Sequence, residues 1–485
     1  MAHKSNYYQF MKKNIFVIGL DDFNLQMLQS LKGADECSFI GLLDIHSLID
    51  SGRYRLSDML ELAEKELENF DGPIDAIVGY TDFPVSTMTP ILCGKFKVPG
   101  PSLESVLKCE HKYWSRLEQR QVIAEHIPRF HTFDPFDDQA LAKIPLDFPF
   151  WIKPVKSTAS QLGFRISSKK AFNRAIEILR EKIGLFKPFD YLLDMVPLPA
   201  EVACVNSSFC VAEQIISGQQ CTLEGYARNG RVHTYGVIDS IREPNRTTFS
   251  RYQYPSRLPV HVRQKMADIS EKVMRHIGFD HSAFNIEFFW DEKRDKIWFL
   301  EINTRIPQSH SDLFKKVDGL SNHQIMLDIA LNRDPWFPVR QGKFRVAGKF
   351  FLRQYQDKLI TGIPTKEDIR EISEKIPGML VDIQGKVGMK LSDIPEQDSY
   401  SYATAFIYLG AGSQKELLEK YRKCREMLKF KYQDLIIPFP SPEKAVESLP
   451  EPEPRVAVQV LTSPMELPKQ EQTPLTGSVQ DMTKP

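Results

Sequence analysis

The stretch FLEINTRIPQSH, residues 299–310, puts Glu301, Asn303 and Arg305 at alternating positions directly after an apolar run. Successive strand residues point to opposite faces, so a strand here carries a carboxylate, an amide and a guanidinium on one face. Upstream, the run AFNIEFFW carries Glu287, and the polar turn DEKRDK joins it to IWFLEIN. A hairpin through that turn brings Glu287 beside Glu301 as ladder neighbours. Two carboxylates on one face repel unless a cation lies between them. With the Asn303 carbonyl added, the oxygen set suits Mg²⁺, which takes one or two protein carboxylates and fills its shell with water and phosphate oxygens. A pair of solvated glutamates at a sheet edge would leave the same letters, and the apolar residues around both glutamates weigh against that.

Two basic stretches precede this one. IKPVKSTASQLGF places Lys153 after an apolar strand start and before a loop of small residues, whose amides can cradle phosphates. Lys112 lies in the helical run CEHKYWSRL. Each lysine taken alone is equally a surface side chain. In VAEQIISGQQCTLEG a strand ends at Glu213, and the following Gln214-Ile215-Ile216 could offer backbone groups and apolar walls to an adenine edge. An ordinary strand-to-loop passage reads the same.

Taken in order, a helical lysine, a strand lysine with a small-residue loop, a hinge glutamate and paired glutamates ending in E-x-N-x-R resemble the ATP-grasp superfamily. The resemblance runs from Lys112 to Arg305. It implies ATP and Mg²⁺ (or Mn²⁺) as cofactors. Lys112 and Lys153 fall at the phosphate-contacting lysines, Glu213 and Ile216 at the adenine hinge, and Gln220 at the ribose position. Glu287, Glu301 and Asn303 fall at the ligands of the metal bridging the ATP phosphates, and Arg305 at the arginine that steadies the transferred phosphoryl group or acyl phosphate. The implied activity is phosphorylation of a carboxylate, followed by attack of an amine on the acyl phosphate. The partners are then small-molecule carboxylate and amine substrates, and the resemblance admits a homodimer.

The chain departs from the family pattern in places. STASQLG has one glycine where relatives have several, and His111 stands where aspartate is common. Gln220 replaces a glutamate and lacks its charge-assisted bond to a hydroxyl. EINTRIPQSH is close to the EMNTRIQVEH run of biotin carboxylase, yet Ser309 falls where that enzyme has its bicarbonate-deprotonating glutamate. A serine hydroxyl cannot replace that base at neutral pH. His310 has a suitable pKa for a base and is equally a structural histidine. No biotin-carrier MKM motif occurs. HTYGVIDSIREPNRTTFSRYQYPSRLP and SYSYATAFIYLGAG look more like amino-acid and dipeptide ligases, which favours a carboxylate–amine ligase. A biotin-carboxylase-type enzyme and an ATP-binding regulatory protein without turnover are the alternatives.

The rest of the chain frames these motifs. NIFVIGL, CSFIGLLDI and IDAIVGY alternate with helical spacing, which predicts parallel βαβ units. The first turn, GLDDFN, lacks G-x-G-x-x-G, so the N-terminal layer is Rossmann-like without a phosphate loop. The expected class is α/β and α+β. It has a Rossmann-like domain over 1–110, an ATP-grasp domain of two α+β subdomains over 111–345, and a small α+β cap over 346–435. Ten of 32 prolines fall in the last 48 residues, so 436–485 reads as a disordered tail. Lys+Arg and Asp+Glu both number 63, giving no support for a nucleic-acid or membrane-surface partner. Seven scattered cysteines without CxxC read as reduced thiols in a cytoplasmic protein. No apolar run is long enough for a membrane span.

Overall fold

The computed structural model describes residues 12–435 apart from 46–47, 49–54, 158–160, 244–247, 396 and 398–400. The segment 436–485, expected to be disordered, lies outside the described residues, as do three residues of the STASQLG loop. No helix among the described residues is long and apolar enough to cross a membrane.

The N-terminal layer alternates strand and helix: β1 (Lys13–Ile18), α1 (Asp22–Gln29), β2 (Cys37–Leu42), α2 (Leu56–Glu68), β3 (Ala76–Val78) and α3 (Val85–Phe96). The strands pair in parallel in the order β2-β1-β3. Ile15 and Val17 face one side of the layer, and Phe16 and Ile18 face the other, each in its own apolar cluster. After Gly19, at φ +67°, the chain turns into α1, where the Asp21 carboxylate caps the helix. A bound pyrophosphate would need that place, so the missing glycine fingerprint has a physical counterpart.

Two helices, α4 (Leu103–Glu110) and α5 (Lys112–Ile123), lead out of this layer. A small antiparallel sheet follows in the order β4-β7-β5-β6, made of β4 (Phe130–Phe133), β5 (Phe150–Pro154), β6 (Phe164–Ile166) and β7 (Cys210–Gln214). The amphipathic α6 (Lys169–Lys182) covers it with Phe172, Ala175, Ile176 and Leu179.

A large antiparallel sheet comes next. It comprises β8 (Gln219–Arg228), β9 (Arg231–Arg242), β10 (Phe249–Tyr254), β11 (Ser282–Asp291), β12 (Lys296–Asn303) and β13 (Val346–Gln354). A side ribbon pairs β14 (Lys358–Gly362) with a later strand, and the sheet itself resumes with β15 (Leu380–Ile383) and β16 (Tyr402–Ala411). The ribbon's partner is β17 (Lys431–Asp434). The large sheet has the order β12-β11-β8-β9-β10-β13-β16-β15. It therefore runs unbroken across residue 345, the bound drawn from the sequence between the ATP-grasp domain and the C-terminal cap of the same unit. The join is Tyr254 opposite Ala347, a long-range pairing that no local pattern announces.

The two faces of the sheet are covered differently. α7 (Val260–Ile277) packs Val262, Met266 and Val273 against Leu223 and Phe284. On the other face, α8 (Gln308–Val317) seats Leu313, Phe314 and Val317 on Ile238 and Ala347. The Asn229–Gly230 turn, φ 53° and 71°, closes the β8–β9 hairpin as a type I′ turn suits.

Candidate active site

The β11–β12 hairpin places Glu287 directly opposite Glu301 and Asn285 opposite Asn303. Behind them Phe288 and Phe299 are fully buried and meet edge to face at 5.2 Å. Burying two such rings contributes about 1.5–3 kcal/mol each and fixes the register that aligns the carboxylates. The register shifts by one residue just beyond this pair, leaving Leu300 as a bulge. A bulge frees backbone groups from the ladder. Here the Leu300 carbonyl accepts from Arg116 at 2.7 Å.

Burial and the nearby Glu301 charge push the Glu287 carboxyl up to about 7, against partial offset by the Gln220 amide and Arg242. A cation lying between the two carboxylates would relieve that repulsion. Asn303 donates from Nδ2 to Asn285 Oδ1 at 2.9 Å, and Asn285 donates to the Arg305 carbonyl at 3.0 Å. This orientation leaves the Asn303 carbonyl oxygen as an acceptor. Two carboxylates and one amide oxygen fit a hard divalent cation that takes the rest of its shell from water and phosphate. Among the described residues no cluster of three or more His, Cys, Asp or Glu side chains offers an all-protein metal cage.

A cavity of about 390 Å³ opens beside the hairpin, between the small and large sheets. Of the residues singled out in the sequence, Lys112, Lys153, Glu213, Ile216, Glu301 and Asn303 line it. The corner Glu110-His111-Lys112 joins α4 to α5, and His111 is the cap at that corner. Its Nδ1 accepts from the Trp114 amide at 3.1 Å while Nε2 meets the Val205 carbonyl at 2.9 Å. Burial pushes this imidazole down to about 4, so it acts as a neutral cap where aspartate is common in the family. The next residue, Lys112, points its amine at the Ser157 carbonyl, 3.0 Å, and lies 3.7 Å from Glu301. Burial lowers the Lys112 pKa to about 8, with Glu301 opposing and Lys153 and Lys156 adding to the fall. An anionic phosphate arriving here would restore the cation.

Glu213 accepts Lys153 at 2.8 Å and Arg116 at 2.7 Å, one on each oxygen. Burial alone would raise this carboxyl, but Arg116 and Lys153 outweigh it and hold it at about 2. The Glu213 side chain is thus committed to two cations. Gln214, Ile215 and Ile216, with Leu300 of the large sheet, line the cavity beside it.

Gln220 and Arg305 are each held by side-chain partners remote in the chain. Gln220 is not among the residues that line this cavity. Its Nε2 donates to Glu287 at 2.8 Å, and its Oε1 accepts from Arg242 at 2.6 Å. A β8 side chain reaches β11 diagonally, so Gln220 meets Glu287 across the ladder. Arg305 lies beyond β12 and forms a two-pronged pair with Asp82, 2.8 Å on each prong. Burial disfavours the Asp82 charge, yet Arg305, Lys156 and Lys112 together bring its pKa down.

Four residues of the site were not singled out in the sequence: Asp82, Glu110, Arg116 and Lys156, all lining the cavity. Lys156 pairs with Glu110 at 2.5 Å and lies over the rings of Phe83 and Phe189, 5.1 and 5.2 Å from their centroids. Thr304 donates to the same Glu110 at 2.9 Å. His310 belongs to a buried network: its Nδ1 meets Glu224 at 2.7 Å, and Glu224 also accepts from Tyr235 and Asn322. That network ties α8 to the sheet.

Residues 146–311 match the family model described as an ATP-grasp domain. Among curated proteins, an uncharacterized protein of Sinorhizobium fredii, y4rH, is 22% identical over 267 residues, which are 52% of this chain and 50% of that protein. The chain thus spans about half the length of that relative. Among solved structures, an L-amino acid ligase from Bacillus licheniformis matches with a TM-score of 0.66 at 17% identity, over 87% of this chain and 99% of that one. A biotin carboxylase from Campylobacter jejuni matches with a TM-score of 0.58 at 13% identity, over 88% and 93%. At these identities the structural likeness is one of fold.

Proposed function

We propose, from the premise that this chain carries an ATP-grasp domain, that it is an ATP- and Mg²⁺-dependent ligase joining a carboxylate to an amine. The observation that carries the reading is the pairing of Glu287 with Glu301 beside a lysine-lined cleft. Glu287, Glu301 and the Asn303 carbonyl would hold the metal, which when bound neutralises phosphate oxygens and polarises the γ-phosphoryl group.

The chain's own residues then divide the work. Lys112 and Lys153 meet the phosphates, and the hinge backbone from Gln214 to Ile216 receives the base. Gln220 orients Glu287. Arg305, held by Asp82, faces charge that develops on the carboxylate side. In the first step a substrate carboxylate oxygen bonds to the γ-phosphorus as the bond to the bridging oxygen breaks, and ADP departs. In the second, the amine nitrogen bonds to the acyl carbon and inorganic phosphate leaves, with the nitrogen losing a proton. Ser309 at the position of the bicarbonate-activating base favours this reading over a carboxylase. We place it in the cytoplasm, with reduced cysteines.

The test is ADP release measured across a panel of amino-acid pairs, and separately with bicarbonate plus biotin. The ligase reading expects stimulation that needs both an amino-acid carboxylate and an amine. Stimulation by bicarbonate and biotin alone would replace it with the carboxylase reading. Tight ATP binding without any stimulation would favour a regulatory protein.

A further inference from the structure

The corner Glu110-His111-Lys112 between α4 and α5 holds three consecutive residues at the exit of β5. The Lys112 amide donates to the Val155 carbonyl at 2.8 Å, and the Lys112 amine donates to the Ser157 carbonyl at 3.0 Å. Between those two, Lys156 pairs with Glu110 Oε2 at 2.5 Å. The other Glu110 oxygen, Oε1, accepts the Thr304 hydroxyl at 2.9 Å. Thr304 stands between Asn303 and Arg305, just past the end of β12. Phe83, one residue after the Asp82 that grips Arg305, packs with Phe189 against the Lys156 amine. Segments 82–83, 155–157 and 303–305, far apart in the chain, thus meet around one carboxylate.

Stability alone is a poor reason for this arrangement. The Lys156 and Glu110 side chains are 4% and 8% exposed, so both charges are nearly stripped of water. The desolvation cost of such a pair rivals its attraction, and apolar residues of similar volume often stabilise a core as well or better. What the ion pair adds over apolar packing is direction. A carboxylate with each oxygen committed to a different segment fixes both at hydrogen-bond distance. One of those segments opens the loop beside Lys112 and Lys153. The other carries Asn303 and Arg305.

We propose that Glu110 is a positioning residue for the nucleotide's phosphates. Through Lys156 and Thr304 it fixes the exit of β5 against the end of β12, so that the phosphate lysines and the metal-holding side chains face one another at one separation. The inference rests on the ATP reading above and deepens it. A nucleoside without phosphates uses only the hinge side of the cleft and does not need that separation. A nucleotide carrying two phosphates and a metal does.

Calorimetric titration of adenosine and of Mg·ADP into the full chain and its variants separates positioning from folding. In Glu110→Gln, Mg·ADP affinity should fall about fivefold or more while adenosine affinity stays within about twofold. Lys156→Met should lose a similar factor. The double variant Glu110→Gln/Lys156→Met should lose no more than about twofold beyond the larger single loss, because both changes break one tie. If Glu110→Gln does not fold, Thr304→Val, which removes one hydroxyl, should still weaken Mg·ADP about threefold and leave adenosine alone. Equal weakening of both probes would make Glu110 a structural tie and overturn the proposal. So would unchanged Mg·ADP affinity, additive losses, or tighter Mg·ADP binding in Glu110→Gln, which would mean that Glu110 only restrains a phosphate-binding Lys156. Wild-type chain that does not prefer Mg·ADP to adenosine removes the ATP reading, and this inference with it. Wild type that prefers Mg·ADP, beside variants that bind both probes as wild type does, removes this inference alone.

Discussion

Glu287 and Glu301 stand directly opposite each other on one face of the β11–β12 ladder, and Glu287 is pushed above the ordinary carboxylate range by burial and by its neighbour's charge. Like charges in that position destabilise a sheet unless something positive resides between them. Replacing both by glutamine should remove the metal's anchorage while keeping shape. Turnover of Mg·ATP is expected to fall by about a hundredfold or more, on the order of 2.7 kcal/mol of transition-state stabilisation. Steady-state ADP release measures it, and unchanged turnover refutes the metal assignment.

The same pair sets a pH dependence. The folded-state pKa of Glu287, about 7, lies above its unattached value of 4.5, so the folded protein holds that proton more tightly. Its contribution to stability is complete below pH 4.5 and is lost as pH rises through about 7. Glu213 has the opposite sign, since a pKa held at about 2 contributes stability above pH 4.5 that is lost as pH falls toward 2. Urea unfolding of nucleotide-free wild type and Glu287→Gln from pH 5 to 8 should therefore show the wild type losing on the order of 2 kcal/mol relative to the variant as pH rises. Parallel curves would contradict the raised pKa.

Gln220 offers a finer test. Its Nε2 donor favours the ionised form of Glu287. Gln220→Leu removes the donor and raises the Glu287 pKa further, so Mg·ADP binding should need a higher pH, by about half a unit or more. A fluorescence titration of Mg·ADP at several pH values reads the shift. If Gln220 instead served a ribose hydroxyl, affinity would drop equally at every pH.

Arg116 joins the two halves of the cleft, pairing with Glu213 of the small sheet and the Leu300 carbonyl of the large one. It is 2% exposed. Arg116→Ala leaves a buried carboxylate with one cation in place of two and is expected to cost about 3 kcal/mol of stability. Nucleotide affinity should fall about tenfold or more, because Glu213 and Lys153 lose their fixed geometry. Arg116→Lys keeps the charge but not the planar fork and should recover only part of either quantity. Full recovery by lysine in urea unfolding and nucleotide titration would reduce Arg116 to a simple charge.

Much of this arrangement was legible in the letters. Period-two spacing around DEKRDK was enough to place Glu287 against Glu301, because a hairpin's register follows from its turn and its apolar face. The N-terminal parallel layer followed from strands alternating with helical spacing, and the lack of a phosphate loop from one turn. What the letters did not carry were partners remote in the chain. Arg116 meets Glu213 from 97 residues away and Asp82 meets Arg305 from 223, and neither Arg116 nor Asp82 stands in a motif. The passage of the large sheet across residue 345 depends on β10 meeting β13, again a matter of topology. The partners that the Gln220 side chain takes, Glu287 and Arg242, were not legible either, since a strand position fixes the face and leaves the rotamer to its neighbours.

Activation of a carboxylate by phosphorylation on oxygen leaves an isotopic trace. A stimulating carboxylate substrate labelled with a heavy oxygen isotope is supplied together with its amine, and the phosphate released is weighed. Each turnover should carry one labelled oxygen from the carboxylate into inorganic phosphate. Phosphate released without label, while ADP and amide still form, would contradict it.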